Sequence, residues 1–215
     1  MIPMDTQPLY DAILNGNHKV ARQFTETAIA QGTDPKLLVD EVMIPAMNEV
    51  GRRFEASEYF VPELLIAARA MKASLELLRP LLAAKGAEVI GRVVIGTVQG
   101  DLHDIGKNLV GAMLEGAGFE VIDLGVDVAP EKFVAEARNA HASIVGLSAL
   151  LTTTMPSMQS VVKAFADAGL RKDVKIMIGG APTTQKFAED IGADGYSKNA
   201  TGAVALARSL AGRPS

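Results

Sequence analysis

Through about the first 85 residues, apolar positions recur every three to four places; beyond them, short β-branched runs alternate with helical stretches. The chain therefore divides into two halves of different periodicity. In the first, Leu9–Leu14 reads as a short helix, and Val20, Phe24, Thr27 and Ala28 form a second helical face that stops at Gln31-Gly32. Asp34-Pro35 has the form of an N-cap with proline in the first turn. Leu38, Val42, Pro45, Ala46, Glu49 and Val50 then continue at helical spacing to Phe54. Pro45 should kink this pattern, because proline lacks an N–H and its ring collides with the carbonyl four residues back. After the polar Glu55–Glu58 stretch, a long helix runs from Val61 to about Ala84. Four helices with short connections predict an antiparallel bundle.

Lys85–Gly91 contains two glycines and marks the expected boundary, giving a helical domain over 1–86 and a second domain over 92–215. In that second half, Arg92–Val98, Glu120–Leu124, Ser143–Ser148, Val174–Ile178 and Gly195–Ser197 read as strands. Helices are expected at Ile105–Ala117, Pro130–Ala140, Met155–Ala168 and Thr183–Ile191, with a last one ending near Leu210. Such alternation implies an α/β domain whose parallel sheet is covered on both faces. Ligands of these sheets bind beyond the carboxyl ends of the strands, at a switch point. Each unusual sequence of this half falls at such an end.

Composition narrows the chemistry. A net charge of −4 leaves no footprint for nucleic acid or an anionic membrane. Neither a secretory leader nor a membrane span is legible, so the expected location is cytoplasmic. The absence of cysteine removes thiolate nucleophiles, thiolate metal sites and Cys-ligated clusters together. With three histidines in all, a multi-histidine metal site is disfavoured too.

The most informative stretch is Gly100-Asp101-Leu102-His103-Asp104-Ile105-Gly106, directly after the first strand. It places an imidazole on a loop, with a carboxylate two residues before it and a glycine three after. That spacing suits presentation of one histidine to one metal, with Asp101 bonded to the other ring nitrogen. Competing readings are weaker. Gly106-Lys107 is followed by Asn108, not Ser or Thr, which argues against a Walker loop, and Gly100 opens no dinucleotide fingerprint. Asp104 reads as an N-cap for the following helix, and one of Thr152, Thr153 and Thr154 as a cap for the helix at Met155. Arg52-Arg53 reads as solvated surface.

Two further elements follow in order: Gly146-Leu147-Ser148-Ala149-Leu150, running into Thr152-Thr153-Thr154, and Ile178-Gly179-Gly180-Ala181-Pro182. Asp-x-His-x-x-Gly, Ser-x-Leu and Gly-Gly in this sequence resemble the cobalamin-binding domain of methionine synthase, certain mutases and methyltransferase corrinoid proteins. Val50–Phe54, Tyr59–Leu64 and Ala70-Met71 look like the helical cap of the methyl-carrying members. The likeness covers essentially the whole chain. It implies a four-helix cap on a Rossmann-like, flavodoxin-like domain, and a corrinoid bound base-off, His-on, cycling between Co(I) and methylated Co(III), as in methylcobalamin.

The same resemblance implies the roles. His103 would be the lower cobalt ligand, with Asp101 and Thr154 as its relay. Gly106, Ser148, Leu150, Thr152, Gly179 and Gly180 would line the slot for the displaced nucleotide tail. Phe54, Val61 and Leu64 would cover the upper face. Implied partners are methyltransferases of TIM-barrel type, one loading the methyl group and one passing it to coenzyme M or tetrahydrofolate, and a reductive activase. The alternative within the family is a B12-dependent sensor; outside it, a plain α/β interaction domain.

Overall fold

The computed structural model describes residues 5–84 and 90–212. The chain forms two compact units: residues 1–89 with 115–118, and residues 90–114 with 119–215. Most of the expected Lys85–Gly91 boundary lies outside the described residues.

The first unit is helical. It comprises α1 (Gln7–Leu14), α2 (His18–Ala30), α3 (Pro35–Leu37), α4 (Ile44–Glu55) and α5 (Val61–Ala84). Asn17 caps α2 through the Val20 N–H, and the Asp34 side chain accepts from Lys36 N at the start of α3. The kink expected at Pro45 takes another form. A π-helical segment, Leu38–Met43, joins α3 to α4 and leaves Pro45 in the first turn of α4. There the missing N–H has no intrahelical partner to lose, and the widened turn relieves the ring of the carbonyl behind it. Along α5, Leu64, Ala67, Ala68, Met71, Leu75, Leu78 and Leu82 are buried at steps of three or four, which makes one continuous core stripe.

The second unit is a five-stranded parallel sheet in the order β2-β1-β3-β4-β5. Its strands are β1 (Arg92–Thr97), β2 (Glu120–Asp123), β3 (Ile144–Ser148), β4 (Lys175–Gly179) and β5 (Gly195–Ser197). The intervening helices are α6 (Ile105–Gly116), α7 (Pro130–Asn139), α8 (Met155–Asp167) and α9 (Gln185–Ile191), with α10 (Ala200–Leu210) at the end. Val, Ile and Leu dominate β1, β3 and β4 because those strands are buried on both faces. Phe133 of α7 lies against Gly96 of β1, where a Cβ would stand 2.7 Å from the ring. Register brings Thr97, Ser148 and Gly179 side by side at the carboxyl edge. The order reverses between β1 and β3, so the loops after those two strands flank the crevice where this architecture binds ligands.

Candidate functional site

Asp101 is fully buried although it sits on a loop. A buried carboxylate needs donors, and these come from two loops. Its Oδ1 accepts from His103 N at 3.0 Å and faces His103 Nδ1 at 2.7 Å. Its Oδ2 accepts from Thr154 Oγ1 at 2.7 Å and from the backbone N–H groups of Leu150 and Leu151 at 2.8 and 3.3 Å. Burial by itself would raise its pKa. The bonds from Thr154, from the His103 and Leu150 N–H groups and from the imidazole outweigh that, holding the carboxyl well below the usual range.

An ionised carboxylate only accepts, so Nδ1 of His103 donates to it, and in the neutral imidazole Nε2 carries the free lone pair. Nε2 has no hydrogen-bond partner among the described residues. The side chain is half exposed. Around it Leu102, Ile105, Leu150 and Leu151 keep large exposed apolar surfaces. A Cβ on Gly106 would meet no heavy atom within 4 Å, so the first turn of α6 is open to a ligand lying against its backbone.

The structure thus brings Asp101, His103, Thr154 and the Leu150 backbone into one network. Thr154 occupies the N-cap position of α8, but its hydroxyl is turned to Asp101 and to Leu151 O and makes no cap bond. The capping role expected in this threonine run is therefore given up to the site. Thr154→Val should lower stability by about 1 kcal/mol, because one hydroxyl serves two partners; urea unfolding would measure it. Ser148 is half-buried at the end of β3, while Thr152 is exposed. Gly179 ends β4, and Gly180, just after it, packs against the Ala149 backbone. Asp104 receives the Asn108 side chain at 3.0 Å.

Within the helical unit, the residues expected to cover a ligand separate. Phe54 is half-buried and Val61 exposed, but Leu64 is fully buried on the core stripe of α5. Leu64 is thus a packing residue; the apolar surface at this helix start belongs to Phe60, Val61, Leu65 and Ile66. Arg52 is exposed, as expected, and Arg53 half-buried. Both side chains bond Glu49, pushing its carboxyl down to about 2, and Arg53 also bonds Tyr59 and lies 5.2 Å from its ring centre.

Among the described residues no group of three or more His, Cys, Asp or Glu could hold a metal ion. With Nδ1 held by Asp101, His103 offers a single ligand atom, which fits a metal whose other positions a macrocycle holds. Fold and site together define an α/β protein that presents one imidazole at the switch point of a parallel sheet.

A family model described as "B12 binding domain" matches residues 91–205, and a second model of the same description matches residues 6–79. The chain is 43% identical over 206 residues to the dimethylamine corrinoid protein of Methanosarcina barkeri, covering 95% of this chain and 96% of that protein. It is 42% identical over 202 residues to trimethylamine corrinoid protein 1 of Methanosarcina acetivorans, covering 93% and 94%. The solved methanol:cobalamin methyltransferase complex MtaBC from Methanosarcina barkeri matches with a TM-score of 0.83 at 29% identity, over 99% of this chain and 82% of that one. The chain belongs to the B12-binding family, among its methyltransferase corrinoid proteins.

Proposed function

We propose that this protein carries a methyl group on the cobalt of a corrinoid, with His103 as the lower axial ligand, between two methyltransferases. The observation that carries the reading is the imidazole itself: Nδ1 is held by a buried Asp101, and Nε2 is unpartnered on an open, apolar face. When bound, the corrinoid supplies a cobalt centre able to accept and release a methyl group. The chain's own residues present, orient and tune the ligand. Asp101 fixes the tautomer and orients the ring; Thr154 and the Leu150 N–H hold Asp101 in place.

The open backbone at Gly106, with Ser148, Thr152 and Gly179 nearby on the carboxyl edge, is assigned to the displaced nucleotide tail. Phe54 and Val61 of the helical unit are assigned to shielding the methyl group from water and oxygen. The partners are a methyltransferase that loads the carrier and a second acting on coenzyme M or tetrahydrofolate, both of TIM-barrel type, with a reductive activase for oxidised cobalt. The similarity to dimethylamine and trimethylamine corrinoid proteins favours a methylated amine as donor.

The test is electron paramagnetic resonance of the protein loaded with Co(II) cobalamin, with natural and ¹⁵N-labelled histidine. The axial nitrogen splitting should change with the label, and the label effect should vanish in His103→Ala. A splitting indifferent to the label would mean that the cofactor keeps its own base, and the proposal would fall.

A further inference from the structure

Asp127 lies on the exposed turn between β2 and α7, with φ at +52°. A residue with a side chain adopts this left-handed conformation at a cost, although aspartate and asparagine tolerate it better than most. Two hydrogen bonds accompany it. Oδ1 of Asp127 accepts from Gly100 N–H at 2.7 Å, and the Asp127 N–H donates to the Asp101 carbonyl at 3.0 Å. Together they clamp the Gly100-Asp101 segment at both ends, from the Gly100 N–H to the Asp101 carbonyl, just ahead of His103.

The same turn steadies the far side of the loop. Buried Thr97 donates its hydroxyl to the His103 carbonyl at 2.9 Å, while its N–H donates to Gly125 O and its carbonyl accepts from Val128 N. Asp123 pairs with the buried Lys107 ammonium on α6, and its other oxygen accepts from Gly125 N. Ser157 of α8 adds a bond to Gln99 O at 2.9 Å.

The Asp101 carboxylate is moored to the β3–α8 loop, and the imidazole is moored to that carboxylate. The freedom left to His103 is movement of the backbone that carries both residues. From this we infer that Asp127 is a positioning residue for His103: its clamp on Gly100 and Asp101 sets the height and tilt of the imidazole, and so how firmly Nε2 engages a metal. The inference rests on the reading of His103 as the cobalt ligand.

Two variants separate the clamp from the backbone angle. Asp127→Gly keeps the left-handed turn without strain but deletes the acceptor. Asp127→Asn keeps an acceptor oxygen and tolerates the angle. In the unloaded protein, Asp127→Gly should speed amide exchange across Gln99–Asp104, and Asp127→Asn should not. On titration with hydroxocobalamin, Asp127→Gly should bind about 10- to 100-fold more weakly, with Asp127→Asn restoring most of the affinity. Loaded with Co(II) cobalamin, Asp127→Gly should show a weakened or heterogeneous imidazole splitting.

A Gly100 amide that exchanges rapidly in the wild-type protein overturns the clamp, whatever the variants do. A clear histidine-label effect in the wild type, with affinity and splitting unchanged in Asp127→Gly, overturns the positioning role alone. A wild-type splitting that ignores the label overturns the His103 reading and this role with it.

Discussion

Asp101→Ala should destabilise the α/β unit by about 3–5 kcal/mol, because it removes a buried charged acceptor on which several donors converge. Thr154 Oγ1 and the N–H groups of His103, Leu150 and Leu151 all end on this one carboxylate. A fall of roughly 6–20 °C in Tm is expected, at about 2–4 °C per kcal/mol for a chain of this size. Asp101→Asn should cost about half as much, since the amide keeps one oxygen but turns an NH₂ toward a second set of donors.

The effect has a pH signature. The folded pKa of Asp101 lies below the unfolded value of about 3.9, so its contribution to stability is fully present above that value. It is lost as pH falls toward the folded pKa. The stability gap between wild type and Asp101→Asn should therefore be constant from neutral pH down to about 5 and narrow below about 4. Denaturant unfolding at stepped pH would measure it; a gap that holds unchanged to pH 3 would mean that another group supplies the stabilisation.

Gly180→Ala should be the most damaging single methyl in the chain. Gly180 has φ at +124°, and a Cβ there would stand 1.9 Å from the Ala149 carbonyl oxygen. Backbone cannot yield as a flexible side chain would. The Ala149–Leu151 segment would have to shift, and it carries two of the N–H groups that serve Asp101. A loss of about 3 kcal/mol or more is expected, with damage to the imidazole network in the same stroke.

Gly106→Ala is the informative contrast. It lies in the first turn of α6 with open space at its Cβ, so the fold should keep its stability or gain up to about 1 kcal/mol from helix propensity. Corrinoid binding should nevertheless weaken, because the methyl fills the space assigned to the ligand. Thermal unfolding and a hydroxocobalamin titration of both variants would separate a glycine kept for the backbone from one kept for the ligand. Equal losses of stability would erase the distinction.

How far these features could be read beforehand depends on where their cause lies. The strands were legible because burial on both faces demands unbroken β-branched runs, as in Arg-Val-Val-Ile-Gly-Thr of β1. Asp101 and His103 were reachable as residue types at a spacing, and Thr154 only through the family resemblance. The Leu150 and Leu151 donors were not, because a backbone N–H has no letter of its own. Asp127 was hidden for a related reason: an acid on a turn reads as solvent-facing, and its partner is again a main-chain amide. The burial of Leu64 was not legible because a helix start offers several leucine and valine positions, and sequence spacing alone does not say which face turns inward. The π-helical segment before Pro45 was missed because a one-residue change of helical pitch leaves the apolar spacing almost intact.

One property of the site reaches back to how the chain is made. Asp101 finds Leu150, Leu151 and Thr154 across separations of 49, 50 and 53 residues. Closing so long a loop is entropically costly and slow, in contrast to the local turns of the helical unit. During synthesis most of the helical unit leaves the ribosome before the α/β unit, and the imidazole gains its anchored orientation only after β3 and α8 have docked. A nascent or partly opened chain therefore carries the histidine without its setting, and a ligand that prefers the finished setting stabilises the whole sheet by mass action.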